Sequence, residues 1–259
     1  MDHWGRHSDT MTSKTLSGTY RIAGKRIGIT TLHAATHELC REYRTGDAPD
    51  FFVATGQADI DFERARSARD DALEDRPTRQ PSDAYLETLA VYRGIAERMP
   101  EYDTLLFHGS CVAVDGAAYL FTAKSGTGKS THARLWRALL GERAVMVNDD
   151  KPLIRLEPDG TAVACGTPWD GKHRLSANIA VPLAAVCILE RAAENRICGI
   201  SPSEALPMLL QQAYRPMDAA AMERTLGLID RLAGAVRLFR LGCNMDIGAA
   251  KLSYETMKG

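Results

Sequence analysis

Between Phe121 and Trp136 the chain reads FTAKSGTGKSTHARLW. Gly126, Gly128, Lys129 and Ser130 stand where the later half of a phosphate-binding loop, G-x-x-x-x-G-K-[ST], requires them, and Ala123 takes the place of its first glycine. Glycines let backbone N–H groups converge on phosphate oxygens without interference from Cβ atoms, and the start of the following helix adds partial positive charge. On this reading Ser125, Gly126, Thr127, Gly128, Lys129, Ser130 and Thr131 cradle a nucleotide. Lys129 reaches the β- and γ-phosphates, Ser130 gives its hydroxyl oxygen to Mg²⁺, and Thr131 helps close the loop. The pattern G-x-G-K-[ST] arises by chance in about 1% of chains of this length. Here a strand-like YLFTA also precedes it and an amphipathic STHARLWRALLG follows, with Ala133, Trp136, Leu139 and Leu140 on one face and Gly141 at the helix end. An ordinary glycine-rich strand-to-helix turn is the competing reading. Ala123 at the strand exit tolerates its methyl if the backbone there stays out of left-handed space.

Phosphate chemistry needs a second acidic element, and AVMVNDD supplies Asp149 and Asp150 at the end of an apolar strand about twenty residues downstream. Adjacent strand residues point to opposite faces, so both aim at one site only if the chain turns there. Lys151 and Pro152 make that turn plausible; a polar strand terminus is the alternative. Further on, TPWDGKHR places Trp169, Lys172, His173 and Arg174 in a cationic, aromatic loop near the phosphates or in an exposed turn after TAVACG. Arg215 in QQAYRP is a substrate contact or a surface or capping arginine.

Several elements must position these residues. GTYRIAGKRIGITT reads as a hairpin turning at Gly24-Lys25, followed by a helix through LHAATHELCREY. DFERARSARDDALEDRPTRQPSD alternates charges densely and is expected as a solvated helix or linker. Asp83 is expected to cap a helix through AYLETLAVYRGIAERM, with Leu86, Leu89, Ile95 and Met99 facing the core and Pro100 stopping it. TLLFHGSCVAV, Asp115-Gly116 and AAYLFTA form a hairpin signal, because Asp-Gly supplies the positive φ angles of a two-residue turn. A second strand-turn-strand bends at Asp159-Gly160. A helix follows with a capping box from Ser201 to Glu204, then a strand AVRLFRL.

The resulting expectation is an α/β protein: a flexible start over 1–15, a small α/β lobe with a linker helix over 16–100, and a phosphate-loop domain over 101–259. Its 259 residues, 45% hydrophobic and 25% charged with a formal net charge of −1, suit a globular core and give no bulk attraction for nucleic acid or membrane. No apolar run approaches the roughly 20 residues that span a bilayer, and the opening MDHWGRHSDTM has no hydrophobic signal core, so a cytoplasmic protein is expected. Cys40, Cys111, Cys165, Cys187, Cys198 and Cys243 lack C-x-x-C spacing and read as reduced thiols. His33, His37 and Cys40 share a helical face, a weak metal-site signal beside the commoner amphipathic reading.

From Thr104 to Glu190 the chain resembles the HPr kinase/phosphorylase family and, more distantly, the phosphoenolpyruvate carboxykinases. The resemblance rests on the histidine in FHG, a hairpin, the loop SGTGKS and a double aspartate at a strand end. It implies a mixed, hairpin-rich sheet with flanking helices. It further implies that Asp149 is the general base for an acceptor hydroxyl, that Asp150 supports the metal, and that His108 sits beside the transferring phosphate. Downstream, CGTPWDGKHRLSANIAVPL departs from that family's glutamate-bearing signature loop and arginine-rich loop, so HPr is not carried over as substrate. The expected function is an ATP- and Mg²⁺-dependent kinase acting on a hydroxyl of a protein or peptide serine or of a small molecule, with homo-oligomerisation open. The alternative is a nucleotide-binding regulatory module without transfer. An N-K-x-D base-reading motif and an L-S-G-G-Q signature are absent, which argues against a GTPase and an ABC ATPase.

Overall fold

The computed structural model describes residues 15–73, 77, 80–171 and 173–259. The flexible start expected over 1–15 therefore lies, except for Thr15, outside the described residues. Strands β1 (Leu16–Ile22) and β2 (Lys25–Thr31) form the expected hairpin, but its turn is Ala23-Gly24 rather than Gly24-Lys25. Both turn residues take positive φ (48° and 81°), the twist that a two-residue connection needs. The helix expected through LHAATHELCREY is a short α1 (Ala35–Leu39) followed by a 3-10 turn over Arg41–Tyr43. Strand β3 (Phe51–Ala54) then pairs parallel to β2 and completes a three-stranded sheet.

Helix α2 (Gln57–Leu73) realises the first part of the charge-alternating stretch, to Leu73, as a helix, positions 74–76, 78 and 79 lying outside the described residues, and Arg93 binds it to helix α3 (Asp83–Arg98) through Glu63 at 2.7 Å and Asp59 at 3.1 Å. The cap of α3 is Ser82, not Asp83. Ser82 holds the extended backbone of a cap and its hydroxyl accepts the N–H of Tyr85, whereas Asp83 is the first helical residue and pairs with Arg64. Leu86, Ile95 and Met99 are fully buried as expected, and Leu89 only half-buried. The buried Glu87 carboxylate accepts the N–H groups of Leu32 and His33, both at 2.7 Å, and the Thr55 hydroxyl at 2.9 Å, so its burial is matched by three donors.

Among the described residues, the larger sheet has nine strands. Strand β4 (Thr104–Leu106) and strand β5 (Ser110–Val114) are separate, where one continuous strand was expected through TLLFHGSCVAV. The chain breaks at His108-Gly109, where a Cβ on Gly109 would stand 2.9 Å from the Phe121 carbonyl oxygen. Strand β6 (Ala117–Thr122) pairs with β5 through the expected Asp115-Gly116 turn, with φ of 50° and 83°. Helix α4 (Lys129–Leu140) leads to β7 (Ala144–Asn148), β8 (Leu153–Leu156) and β9 (Ala162–Cys165). Then come the long β10 (Ala180–Arg191), β11 (Arg196–Gly199), α5 (Pro202–Gln212), α6 (Ala219–Ala235), β12 (Arg237–Cys243) and α7 (Ile247–Met257). The capping box from Ser201 to Glu204 opens α5 as read.

The order is β4-β8-β9-β10-β6-β5-β7, with β12 also paired to β10, over Ala185–Arg191, and β11 paired to β12. Strands β12, β10 and β6 run parallel, and β5 is antiparallel to both β6 and β7. The carboxyl ends of β12, β10, β6 and β7 therefore share one edge. Successive residues of the central strands enter opposite cores: Cys111, Ala113, Ala118 and Leu120 pack with α5 and α6, while Val112, Val114, Tyr119 and Phe121 pack with α4 and α7. Both faces are covered, which is why these strands read as unbroken apolar runs. The molecule is thus a mixed α/β protein with a mixed sheet and flanking helices. Among the described residues, no helix is long and apolar enough to cross a membrane.

Helix α4 buries Ala133 and Trp136 as expected, but Leu139 is exposed and His132 takes its place on the core face. The Ser253 hydroxyl of α7 donates to the Ala250 carbonyl at 3.1 Å and accepts the Trp136 indole N–H at 2.8 Å. His132 Nε2 lies 3.0 Å from the same hydroxyl, and Nδ1 has no hydrogen-bond partner among the described residues. Burial pushes the His132 pKa down to about 4. Below about 6.5 the unfolded chain takes up a proton that the folded chain refuses, so this stability is present above that pH and lost on falling toward 4. We expect an acid-side loss of about 3 kcal/mol from this residue, read as a shift of the urea midpoint with pH, and a shallower slope in His132→Gln. Gly166 offers a second test, since an added Cβ would fall 1.8 Å from the Ala177 carbonyl oxygen. Gly166→Ala should lower unfolding free energy by roughly 2–3 kcal/mol, measured in the same titration.

Candidate functional site

Strand β6 ends at Thr122 and delivers the glycine loop onto the shared edge of the sheet. Ala123 is fully buried and is not among the residues with positive φ, so its methyl is accommodated where the motif has glycine. Gly126 and Gly128 do take positive φ, 75° and 120°, which side-chain-bearing residues avoid. Helix α4 starts at Lys129 with no side-chain cap, leaving the N–H groups of its first turn to a ligand or solvent. The Lys129 side chain is buried and its Nζ donates to the Ala123 carbonyl at 3.0 Å. Burial lowers the Lys129 pKa, and the charge of Asp150 opposes that. Ser130 and Thr131 occupy the same first turn. From β10, Arg191 donates to the Gly126 carbonyl at 2.5 Å.

The acidic element lies one strand away, across β5. Strand β7 stops at Asn148, which is fully buried, and Asn148 Oδ1 accepts the N–H groups of Asp150 at 2.9 Å and Lys151 at 2.6 Å. This local turn is the chain reversal that two adjacent aspartates need. The Asn148 Nδ2 faces the Thr167 hydroxyl at 3.0 Å and the Thr167 and Trp169 carbonyls, fastening Thr167 and Trp169 beside β7. Asp149 is 6% exposed, and its Oδ1 has no hydrogen-bond partner among the described residues. Its Oδ2 lies against Gly171, where a Cβ would come within 3.0 Å. Asp150 is engaged differently: Lys151 Nζ stands 2.6 Å from Oδ2 and His108 Nε2 stands 3.5 Å from Oδ1.

His108 links the two elements through the backbone. Its carbonyl accepts the Thr122 hydroxyl at 3.0 Å, and the N–H of Gly109 donates to the Asp150 carbonyl at 3.0 Å. The His108 pKa is lowered by burial first and by the Lys129 charge second, while Asp150 pulls it upward. His108, Lys129 and Asp150 thus form one electrostatic group. An uncapped helix start, a buried ammonium and a buried carboxylate with a free oxygen suit an anion on one side and a proton acceptor on the other.

The remaining expected residues are not gathered there. His173 and Arg174 are exposed on the loop, Arg174 at φ 47°, and Arg215 is exposed beyond the bridge between Phe107 and Ala213. Among the described residues, none of these three side chains hydrogen-bonds the glycine loop or the paired aspartates; Lys172 lies outside the described residues. Trp169 is not part of an exposed aromatic loop. It is buried, stacks on Tyr92 with ring centroids 4.2 Å apart, and donates to the Thr88 carbonyl at 2.8 Å, because a wide apolar ring with one donor gains most from that shelter. His37, considered as a metal ligand, has Nδ1 2.6 Å from the Tyr20 hydroxyl and Nε2 3.0 Å from Thr31 Oγ1, so both ring nitrogens are in use. Residues missed in the sequence are Asn148, Thr167, Tyr92 and Arg191. Only Asn148 carried a local signal, as an asparagine at a strand end before a turn. The Tyr92 hydroxyl, donating to the Lys151 carbonyl at 2.5 Å, arrives from a helix 59 residues away in sequence.

Among solved structures, the chain matches the structure of the Hpr(Ser) kinase/phosphatase from Coxiella burnetii at 9% identity and a TM-score of 0.34, over 60% of this chain and 99% of that one. No curated protein matches. The model of the family described as SynChlorMet cassette protein ScmC matches residues 77–240. That span contains the glycine loop, His108, the paired aspartates and Arg191. It covers more than half of the 259 residues, and the protein belongs to the SynChlorMet cassette protein ScmC family.

Proposed function

We propose that this chain is an ATP- and Mg²⁺-dependent phosphotransferase that moves the γ-phosphate to a hydroxyl, either of a serine in a protein or peptide or of a small molecule. The observation that carries the reading is Asp149: a buried carboxylate with one oxygen unpartnered, at the same sheet edge as an uncapped glycine-loop helix. A buried acceptor without a donor is costly in a folded protein and therefore marks a place where a donor arrives. An acceptor hydroxyl is such a donor.

The chain's own groups divide the work. The amides from Gly126 to Thr131 and the Lys129 ammonium hold the phosphates; Lys129 exchanges the Ala123 carbonyl for a phosphate oxygen. Asp149 orients the acceptor hydroxyl and takes its proton. His108, whose pKa is lowered by burial and by the Lys129 charge, stands beside the transferred group. Ser130 and Asp150 would hold the metal, and Mg²⁺ there would offset phosphate charge as transfer proceeds. Asp150 meets that role by releasing Lys151, whose ammonium is then free for a phosphate oxygen. The sequence resemblance to HPr kinase/phosphorylase supports the same division of roles.

Two substitutions test the reading with γ-labelled ATP and a cell extract. Asp149→Asn should reduce label transfer by about 10²–10⁴-fold and leave Mg-ATP affinity within a few-fold of the parent. Transfer that persists in this variant would remove Asp149 as the base. Lys129→Ala should abolish Mg-ATP binding by calorimetry, and undiminished binding would sink the nucleotide site itself. A parent that binds Mg-ATP and transfers nothing would instead be a nucleotide-binding module.

A further inference from the structure

The glycine loop leaves β6 between two flanks of one sheet edge. On the β5–β7 side stand Asp149, Asp150 and His108. On the other side β10 runs beside β6 with Ile188 opposite Thr122, and β12 runs beside β10 with Cys243 opposite Arg191. Beyond these strand ends the chain ties itself into a ledge. The Ala192 N–H donates to the Cys243 carbonyl, the Asn244 N–H to Asn195 Oδ1, and Asn244 Nδ2 to the Ala193 carbonyl, each at 3.0 Å.

Arg191 reaches from this ledge to the Gly126 carbonyl at 2.5 Å and makes no ion pair among the described residues. Its neighbour Glu190 is turned to Arg240, at 3.3 Å. Met245 projects from the same ledge and is 80% exposed. One exposed methionine is ordinary on a protein surface; its place on the ledge that Arg191 joins to the glycine loop is what matters.

Phosphoryl transfer proceeds with the attacking and leaving oxygens roughly in line. If the acceptor hydroxyl is held by Asp149 on the β7 flank, the leaving diphosphate must depart on the opposite flank. The γ-phosphate then lies toward β7, and the α-phosphate, ribose and base extend over β10 and β12. The geometry points to the ledge of residues 191–195 and 243–246 as the nucleoside-binding half of the site, with Arg191 and Met245 as its contact residues. A guanidinium stacks on a planar base, and a thioether packs on one without demanding a fixed shape. This assignment rests on the phosphotransferase reading above.

Calorimetric titration with Mg-ATP and with Mg-tripolyphosphate, which has the phosphates and no nucleoside, separates the two. The parent should bind both and prefer ATP. Arg191→Ala should weaken ATP about tenfold and the exposed-site variant Met245→Ser about threefold, with tripolyphosphate changed less than about twofold in each. Equal losses for both ligands would make Arg191 a support of the glycine loop and overturn the assignment, as would ATP affinity unchanged in both variants or a parent without preference for ATP. A parent that binds neither ligand would refute the phosphate site and the ledge with it. A parent that binds both but transfers no phosphate, with the ATP-selective losses present, would retain the ledge and refute the transfer reading alone.

Discussion

Five contacts around the Asn148 side chain organise the edge of this protein where its chemistry would take place. One amide ends β7, receives the N–H groups of Asp150 and Lys151, and faces acceptors on Thr167 and Trp169. It is fully buried, and a buried amide left with unpaired groups would cost a large part of a domain's net stability. The turn that it imposes keeps Asp149 and Asp150 from acting as opposite-facing strand residues. The loop that it fastens then closes over Asp149 through Gly171. Substrate would meet a pair of carboxylates held by a side chain that does no chemistry.

The two carboxylates consequently have different surroundings. Asp150 shares its oxygens with Lys151 and His108 and lies within electrostatic range of Lys129, whereas Asp149 has an oxygen without a hydrogen-bond partner among the described residues. Two aspartates of identical chemistry are thereby differentiated by position, one within a cluster of cations and the other under a loop. Lys129 has its own constraint. Taken out of water and held on the Ala123 carbonyl, it favours arrival of an anion, because a desolvated ammonium gains more from a phosphate oxygen than from a neutral carbonyl.

Helix α3 carries the influence of the smaller sheet into this edge. Glu87 gathers the loop after β2 together with Thr55, and five residues later Tyr92 stacks on Trp169 and reaches the Lys151 carbonyl. One core contains Tyr20, Ile27 and Val53 of the three-stranded sheet together with Leu106, Leu153 and Cys165 of the larger one. The smaller sheet thus shares a continuous packed core with Tyr92 of α3, whose hydroxyl bonds the residue that follows the paired aspartates.

Local chemistry made part of this legible before folding was considered. The glycine spacing, the strand before it and the amphipathic helix after it are short-range facts, as are the Asp115-Gly116 turn and the Ser201 capping box, and the structure has each of them. Leu139 and Trp169 were misjudged because hydrophobic pattern reports a preference for burial, while the neighbouring elements decide which face or ring is covered. The break at His108-Gly109 was missed because an apolar run gives no sign of where a strand changes partners; the close approach of β6 sets it. The sequence by itself determined which groups have the chemistry proposed for phosphate binding and proton acceptance, since side-chain chemistry and φ preference belong to single residues. Tertiary structure alone decided that His108, Lys129 and Asp150 share one field, that Asp149 keeps a free oxygen, and that Arg191 faces the glycine loop. Those relations arise from strand order and from hydrogen bonds between segments far apart in the chain, which no local pattern encodes.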